Sequence, residues 1–115
     1  MKTQLPELPQ SFSRQYPAIW KSFETLANQC HEAGPLDAKT RRLVKLGIAV
    51  GAGLEGGVHA QVRNGLAEGL TPAELQHVVL LGFTTIGFPA SMARLTWISD
   101  LGKRSRARRK RSSQG

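Results

Sequence analysis

The sequence predicts an all-α domain, and three observations carry that expectation. Apolar residues recur at helical spacing in one segment after another. Two places carry side chains that start helices: Asp37 before Ala38, and the run Thr71-Pro72-Ala73-Glu74. No segment sustains the period-two alternation of a half-buried strand. The 115 residues suffice for one domain, or one domain and a tail. With only seven aromatic residues and twelve glycines, its core must be built from small and aliphatic side chains.

Taken in order, residues 1–15 hold two prolines and few apolar groups, which predicts an arm lying on the surface or on a neighbouring subunit. From Tyr16 the stripe Tyr16, Ile19, Trp20, Phe23, Leu26, Ala27 and Cys30 predicts a first helix, closed by Gly34-Pro35. Its phase turns Cys30 inward, as a buried structural thiol. Asp37 caps a second helix over Ala38–Leu54, with Leu43, Leu46, Val50 and Leu54 at helical spacing. A third fits Glu55–Glu68, with Val58, Val62 and Leu66 inward and Gly69 as its stop. Thr71 and Glu74 form a capping box with Pro72 at the first helical position. That fourth helix runs through His77–Ile86 to about Gly87-Phe88-Pro89, and a last one covers about Ala90–Leu101. His77, in the apolar stripe, is expected to pack in the core or at an interface.

Charge divides the chain. Residues 1–102 hold nine basic and eight acidic side chains, whereas residues 103–115 (KRSRARRKRSSQG) hold seven basic ones and no acid. The domain proper is thus residues 16–102, and 103–115 reads as a disordered, solvated basic tail. Such a tail can contact phosphates, giving weak, salt-sensitive and sequence-independent binding to nucleic acid. A single cysteine excludes an intramolecular disulfide, a CxxC pair and a cysteine-rich zinc site. Three scattered histidines predict no metal site. Met1–Gln10 lacks the apolar run of a secretion signal, and the longest uncharged stretch, Leu75–Ala93, is too polar for a membrane span. The expected setting is the cytoplasm.

The segment Gly47–Gly57 (GIAVGAGLEGG) holds five glycines. No strand precedes it, so a phosphate-binding loop lacks its usual context. Gly47/Gly51 and Gly53/Gly57, each four apart, instead predict close helix packing. Just beyond lie Glu55 and His59, also four apart and so on one helix face. A carboxylate one turn from an imidazole can fix its tautomer and tune it to exchange a proton near neutrality. Arg63, four residues further, reaches the same face, with Gln61 nearby in sequence. Together these groups suit a small carboxylated substrate. An ordinary solvated helix face is the other reading of the same spacing.

These residues resemble a known family. Ala33-Gly34-Pro35-Leu36-Asp37, Lys39-Thr40-Arg41, Leu46-Gly47-Ile48-Ala49-Val50-Gly51 and Glu55-Gly56-Gly57-Val58-His59 look like the carboxymuconolactone decarboxylase family. So do Gly69-Leu70-Thr71-Pro72-Ala73-Glu74, His77-Val78-Val79-Leu80-Leu81 and Thr84-Thr85-Ile86-Gly87-Phe88-Pro89. The resemblance covers about Phe12–Asp100. It implies an AhpD-like helical domain of about five to six helices that assembles into a homo-oligomer, a trimer or hexamer.

The resemblance also implies chemistry. Peroxidatic members carry a CxxC pair and a following histidine, whose places are taken here by Leu54, Gly57 and Gln61. Decarboxylase-like members read EGxVHSH, of which Glu55 and His59 are kept while Gln61 stands for the second histidine. Arg42 stands where the family often has a glutamate. The implied activity is cofactor-free decarboxylation of a small carboxylated lactone or related carbonyl compound, with His59 transferring the proton and Glu55 orienting it. Arg42 or Arg63 would hold the carboxylate, and Gln61 would donate a hydrogen bond to the developing enolate. Two alternatives are an alkylhydroperoxidase-like antioxidant activity and a non-catalytic helical oligomer whose basic tail contacts nucleic acid.

Overall fold

Side-chain caps start two of the described helices. In the computed structural model, which describes residues 7–99, the regular elements are α1 (Glu7–Gln15), α2 (Pro17–Glu32), α3 (Ala38–Ala52), α4 (Glu55–Ala67), α5 (Pro72–Gly82) and α6 (88–99). Asp37 accepts from the Thr40 backbone N–H at 2.8 Å and starts α3. Thr71 and Glu74 close the expected capping box at α5. Gly53, at φ +70°, ends α3 in the left-handed conformation, and Leu54 begins α4 directly after it. All described elements are helical, as expected; residues 1–6 of the arm and the basic tail at 103–115 lie outside the described residues.

Within the arm the chain is helical from Glu7 onward. Pro9 falls in the first turn of α1, where its missing N–H would have had no partner. Phe12 stacks near Tyr16 and Trp20, with ring centroids 5.3 and 6.3 Å apart, and joins α1 to α2. The fourth predicted helix is shorter than expected. It stops at Gly82, a turn follows, and Gly87 at φ +99° redirects the chain into α6.

The core lies between α3, α4, α5 and α6. Leu46, Ala49, Val50, Val58, Val62, Leu70, Leu75, Val79 and Ile98 are buried, and Leu43, Leu66 and Trp97 pack on them. Each large aliphatic side chain fully buried here contributes about 1.5–3 kcal/mol. Arg94 ties α6 to the end of α3. Its Nε donates to the Val50 carbonyl at 2.6 Å, and its guanidinium lies 5.6 Å from the Trp97 ring centre.

Four expectations are corrected. The stripe of α2 buries no residue: Ile19, Phe23 and Leu26 are exposed because no helix among the described residues covers them. Cys30, on that helix, is consequently exposed rather than an inward thiol. His77 is exposed too, so it is no core residue of this subunit. The glycine pairs divide: a methyl at Gly47 would meet Val78 at an ordinary 3.7 Å and one at Gly51 would meet nothing within 4 Å, so that pair is no tight seam. A methyl at Gly57 would sit 3.3 Å from Leu54 and 3.5 Å from Ala49, and one at Gly53 would strike the Arg94 guanidinium, so the second pair is closely packed as expected. A further close approach is at Gly65, where a methyl would sit 3.1 Å from Leu75 and 3.2 Å from Leu70.

Candidate functional site

α4 positions most of the candidate residues. Glu55 is its first residue, where a carboxylate is favoured by the helix dipole, and His59 stands one turn further. His59 Nε2 and Glu55 Oε1 are 4.0 Å apart, within ion-pair range and near enough for one bridging water. Both remain accessible, with side chains 34% and 59% exposed. A methyl group at the neighbouring Gly56 would meet nothing within 4 Å, so the face beside the imidazole is open. Arg63, one further turn along, is half-buried and makes no hydrogen bond or ion pair among the described residues.

Arg42 and Gln61 lie elsewhere. Arg42 is 9% exposed on α3; its Nε donates to Glu68 Oε1 at 2.6 Å and its Nη1 to Gln61 Oε1 at 2.5 Å. A second guanidinium nitrogen reaches Glu68 Oε2 at 3.3 Å. Gln61 and His59 are two residues apart, hence about 200° apart around the helix. No hydrogen bond or ion pair links the two groups among the described residues. Nearness in sequence and the family resemblance thus suggest one site where the fold makes two places.

Glu68 is the residue that sequence reasoning missed. It lies two turns beyond Gln61 on the same side of α4, but its partner is on another helix, so no local spacing points to it. Beside this ion pair, the starts of α3 and α5 and the end of α4 leave an open cleft of about 250 Å³. Lys39, Arg42, Glu68 and Glu74 line it. Its charges are matched within it, since Lys39 pairs with Glu74 as Arg42 does with Glu68. That contact holds the Lys39 ammonium above its ordinary pKa and the Glu74 carboxylate below its own.

Residues 17–100 match the carboxymuconolactone decarboxylase family. The chain belongs to that family. The helical fold is consistent with the AhpD-like architecture that the sequence resemblance implies. A comparison with curated proteins returns no match. Within the family pattern, the structure adds one relation: Arg42 and Gln61, the two departures noted in the sequence, are hydrogen-bonded to each other. Glu68 balances the Arg42 charge in this group. No helix among the described residues is long and apolar enough to cross a membrane.

Proposed function

We propose that this family member is a carboxymuconolactone decarboxylase-like catalyst working by cofactor-free acid–base chemistry on a small carboxylated lactone or related carbonyl compound. One observation carries the reading: His59 and Glu55 form an accessible imidazole–carboxylate pair beside an open stretch of α4. As the bond to the departing carboxylate breaks, its electron pair enters the adjacent carbonyl to give an enolate. His59 then delivers a proton to the carbon, and Glu55 orients the ring. Arg63, on the His59 side of α4, is the better-placed anchor for a substrate carboxylate, because a substrate using Arg42 must displace Glu68. Gln61 acts in this reading by holding Arg42.

A lactone panel tests it. His59→Ala should lower turnover by about 10²–10⁴-fold while helix content stays unchanged. Glu55→Gln should lower it less and alter the pH profile, since the imidazole survives without its carboxylate. Wild type and His59→Ala equally inactive across the panel would favour the non-catalytic reading.

Assembly belongs to the same proposal. Phe23 and Ile19 are each 58% exposed on α2, and Ile48 is 66% exposed on α3. Exposed apolar faces of this kind mark contacts between subunits, and a trimer or hexamer in the cytoplasm is the proposed state. Light scattering should give a multiple of the 12.5 kDa chain, and Phe23→Asp should shift it toward the monomer. The second reading, a non-catalytic oligomer with a nucleic-acid-contacting tail at 103–115, is favoured by the run of seven cations there. Deleting the tail should then abolish salt-sensitive binding to nucleic acid.

A further inference from the structure

The end of α2 meets α3 through polar groups that neither the acid–base pair nor the Arg42–Gln61–Glu68 group uses. Lys45 and His31 are both half-buried, with Lys45 Nζ 2.9 Å from His31 Nε2. Arg41, one turn before Lys45, donates from Nη1 to the His31 carbonyl at 2.5 Å, and its Nε is buried without a partner among the described residues. The carboxylate facing this cluster is Glu68, and Arg42 already holds it. Lys45 therefore has an imidazole for a partner and cations for neighbours. Lys39, six residues earlier on the same helix, has the Glu74 carboxylate instead.

We propose that Lys45 is a nucleophilic lysine that condenses with small carbonyl-bearing acids, with His31 as the proton carrier and the positive field of Arg41 drawing the acid group in. A lysine attacks only as the free amine, and desolvation beside other cations favours that form. Burial and the Arg42 charge hold the Lys45 ammonium below the ordinary lysine range, while the Cys30 thiol and Glu68 work weakly against them. Burial together with the charges of Lys45, Arg41 and Arg42 favours the neutral ring of His31, which can take up a proton.

The step balances without a redox partner. The Lys45 nitrogen lone pair forms a bond to the carbonyl carbon while the carbon–oxygen π bond opens. His31 Nε2 carries one nitrogen proton to the resulting alkoxide to give a carbinolamine. It then carries the second to the hydroxyl as the nitrogen lone pair expels it, so that an imine and one water result. The site is independent of His59, and its failure would leave the reading of that pair untouched.

The test treats the full chain with glyoxylate and cyanoborohydride at neutral pH and locates the modified lysines by peptide mass mapping. Lys45 should be carboxymethylated about tenfold faster than Lys21 or Lys39. His31→Gln, which keeps a hydrogen-bonding partner but no proton carrier, should slow Lys45 about tenfold and leave Lys21 unchanged. Acetaldehyde, lacking the acid group, should show a smaller preference for Lys45. Labelling of Lys45 no faster than that of Lys21, equal selectivity with both aldehydes, or a folded His31→Gln variant reacting like wild type would overturn the proposal. Should that variant lose its helix content, the selectivity of wild type for Lys45 over Lys21 decides alone.

Discussion

The two sides of α4 carry similar residues and use them differently. On one side Gln61, Gly65 and Glu68 face α3, where Arg42 draws the amide and the carboxylate into a single hydrogen-bonded group. On the other, Glu55, Gly56 and His59 face open space, and the acid and imidazole stand 4.0 Å apart without a third partner. A polar side chain opposite another helix must be satisfied inside the protein, because leaving it buried and unpaired costs about 1–3 kcal/mol. One that faces an opening stays available to a ligand. The closed side is thus suited to holding helices together, and the open side to chemistry.

The largest expected effect lies on the closed side. Glu68→Ala strands a guanidinium that is nine-tenths buried, with only Gln61 left to accept from it. Since Glu68 itself is 44% exposed, water can partly replace it, and the cost should be about 1–3 kcal/mol in urea denaturation at fixed protein concentration. His59→Ala should change stability by less than about 0.5 kcal/mol. A Glu68→Ala variant as stable as wild type would erase the distinction between the two sides.

Glycine substitution sharpens the contrast. At Gly65 an added methyl presses on Leu75 and Leu70, both buried and with little freedom to yield. The strain should exceed the gain in helix propensity and leave a net loss of about 1 kcal/mol. Gly56→Ala meets open space and should instead stabilise the helix by about 0.5 kcal/mol. If Gly56→Ala also impairs lactone turnover, the space beside His59 is where substrate sits.

Acid should produce the smallest effect, at the capped starts of α3 and α5. The Thr40 backbone N–H holds the Asp37 carboxyl below its ordinary range, and Lys39 with the Thr71 backbone does the same for Glu74. Both carboxylates are more acidic in the fold than in the unfolded chain. Their contribution is therefore fully present above the ordinary carboxylate range and is lost as pH falls through and below about 4. Amide hydrogen exchange at Thr40 and Glu74 should accelerate there.

Much of the fold was legible because its signals are local. Asp37 and Thr71-Pro72-Ala73-Glu74 satisfy backbone groups within three residues of themselves, so the starts of α3 and α5 fall where the sequence places them. Leu46, Val50, Val58 and Val62 repeat with the helical period and are buried as that period predicts. The same period in α2 misled. Ile19, Phe23 and Leu26 make as clear a stripe, yet a stripe records only that one side of a helix is apolar, and among the described residues nothing lies opposite. The site was legible in the same partial way. Glu55 and His59 share a face because they are four apart, whereas Gln61 and Arg42 were grouped with them by nearness along the chain and by family resemblance.

The sequence by itself determined the helical class, the places where α3 and α5 begin, the family and the Glu55–His59 pair. Each depends on covalent spacing within one helix or on matched motifs, and a turn of 3.6 residues converts that spacing directly into position. Only the tertiary structure decided that Arg42 is held by Glu68 and Gln61, that Gly65 packs against Leu75 and Leu70, that Cys30 is exposed, and that Lys45 meets His31. These depend on which side of one helix faces which side of another. That choice is made by the summed burial of the whole core, a quantity that no local run of residues contains.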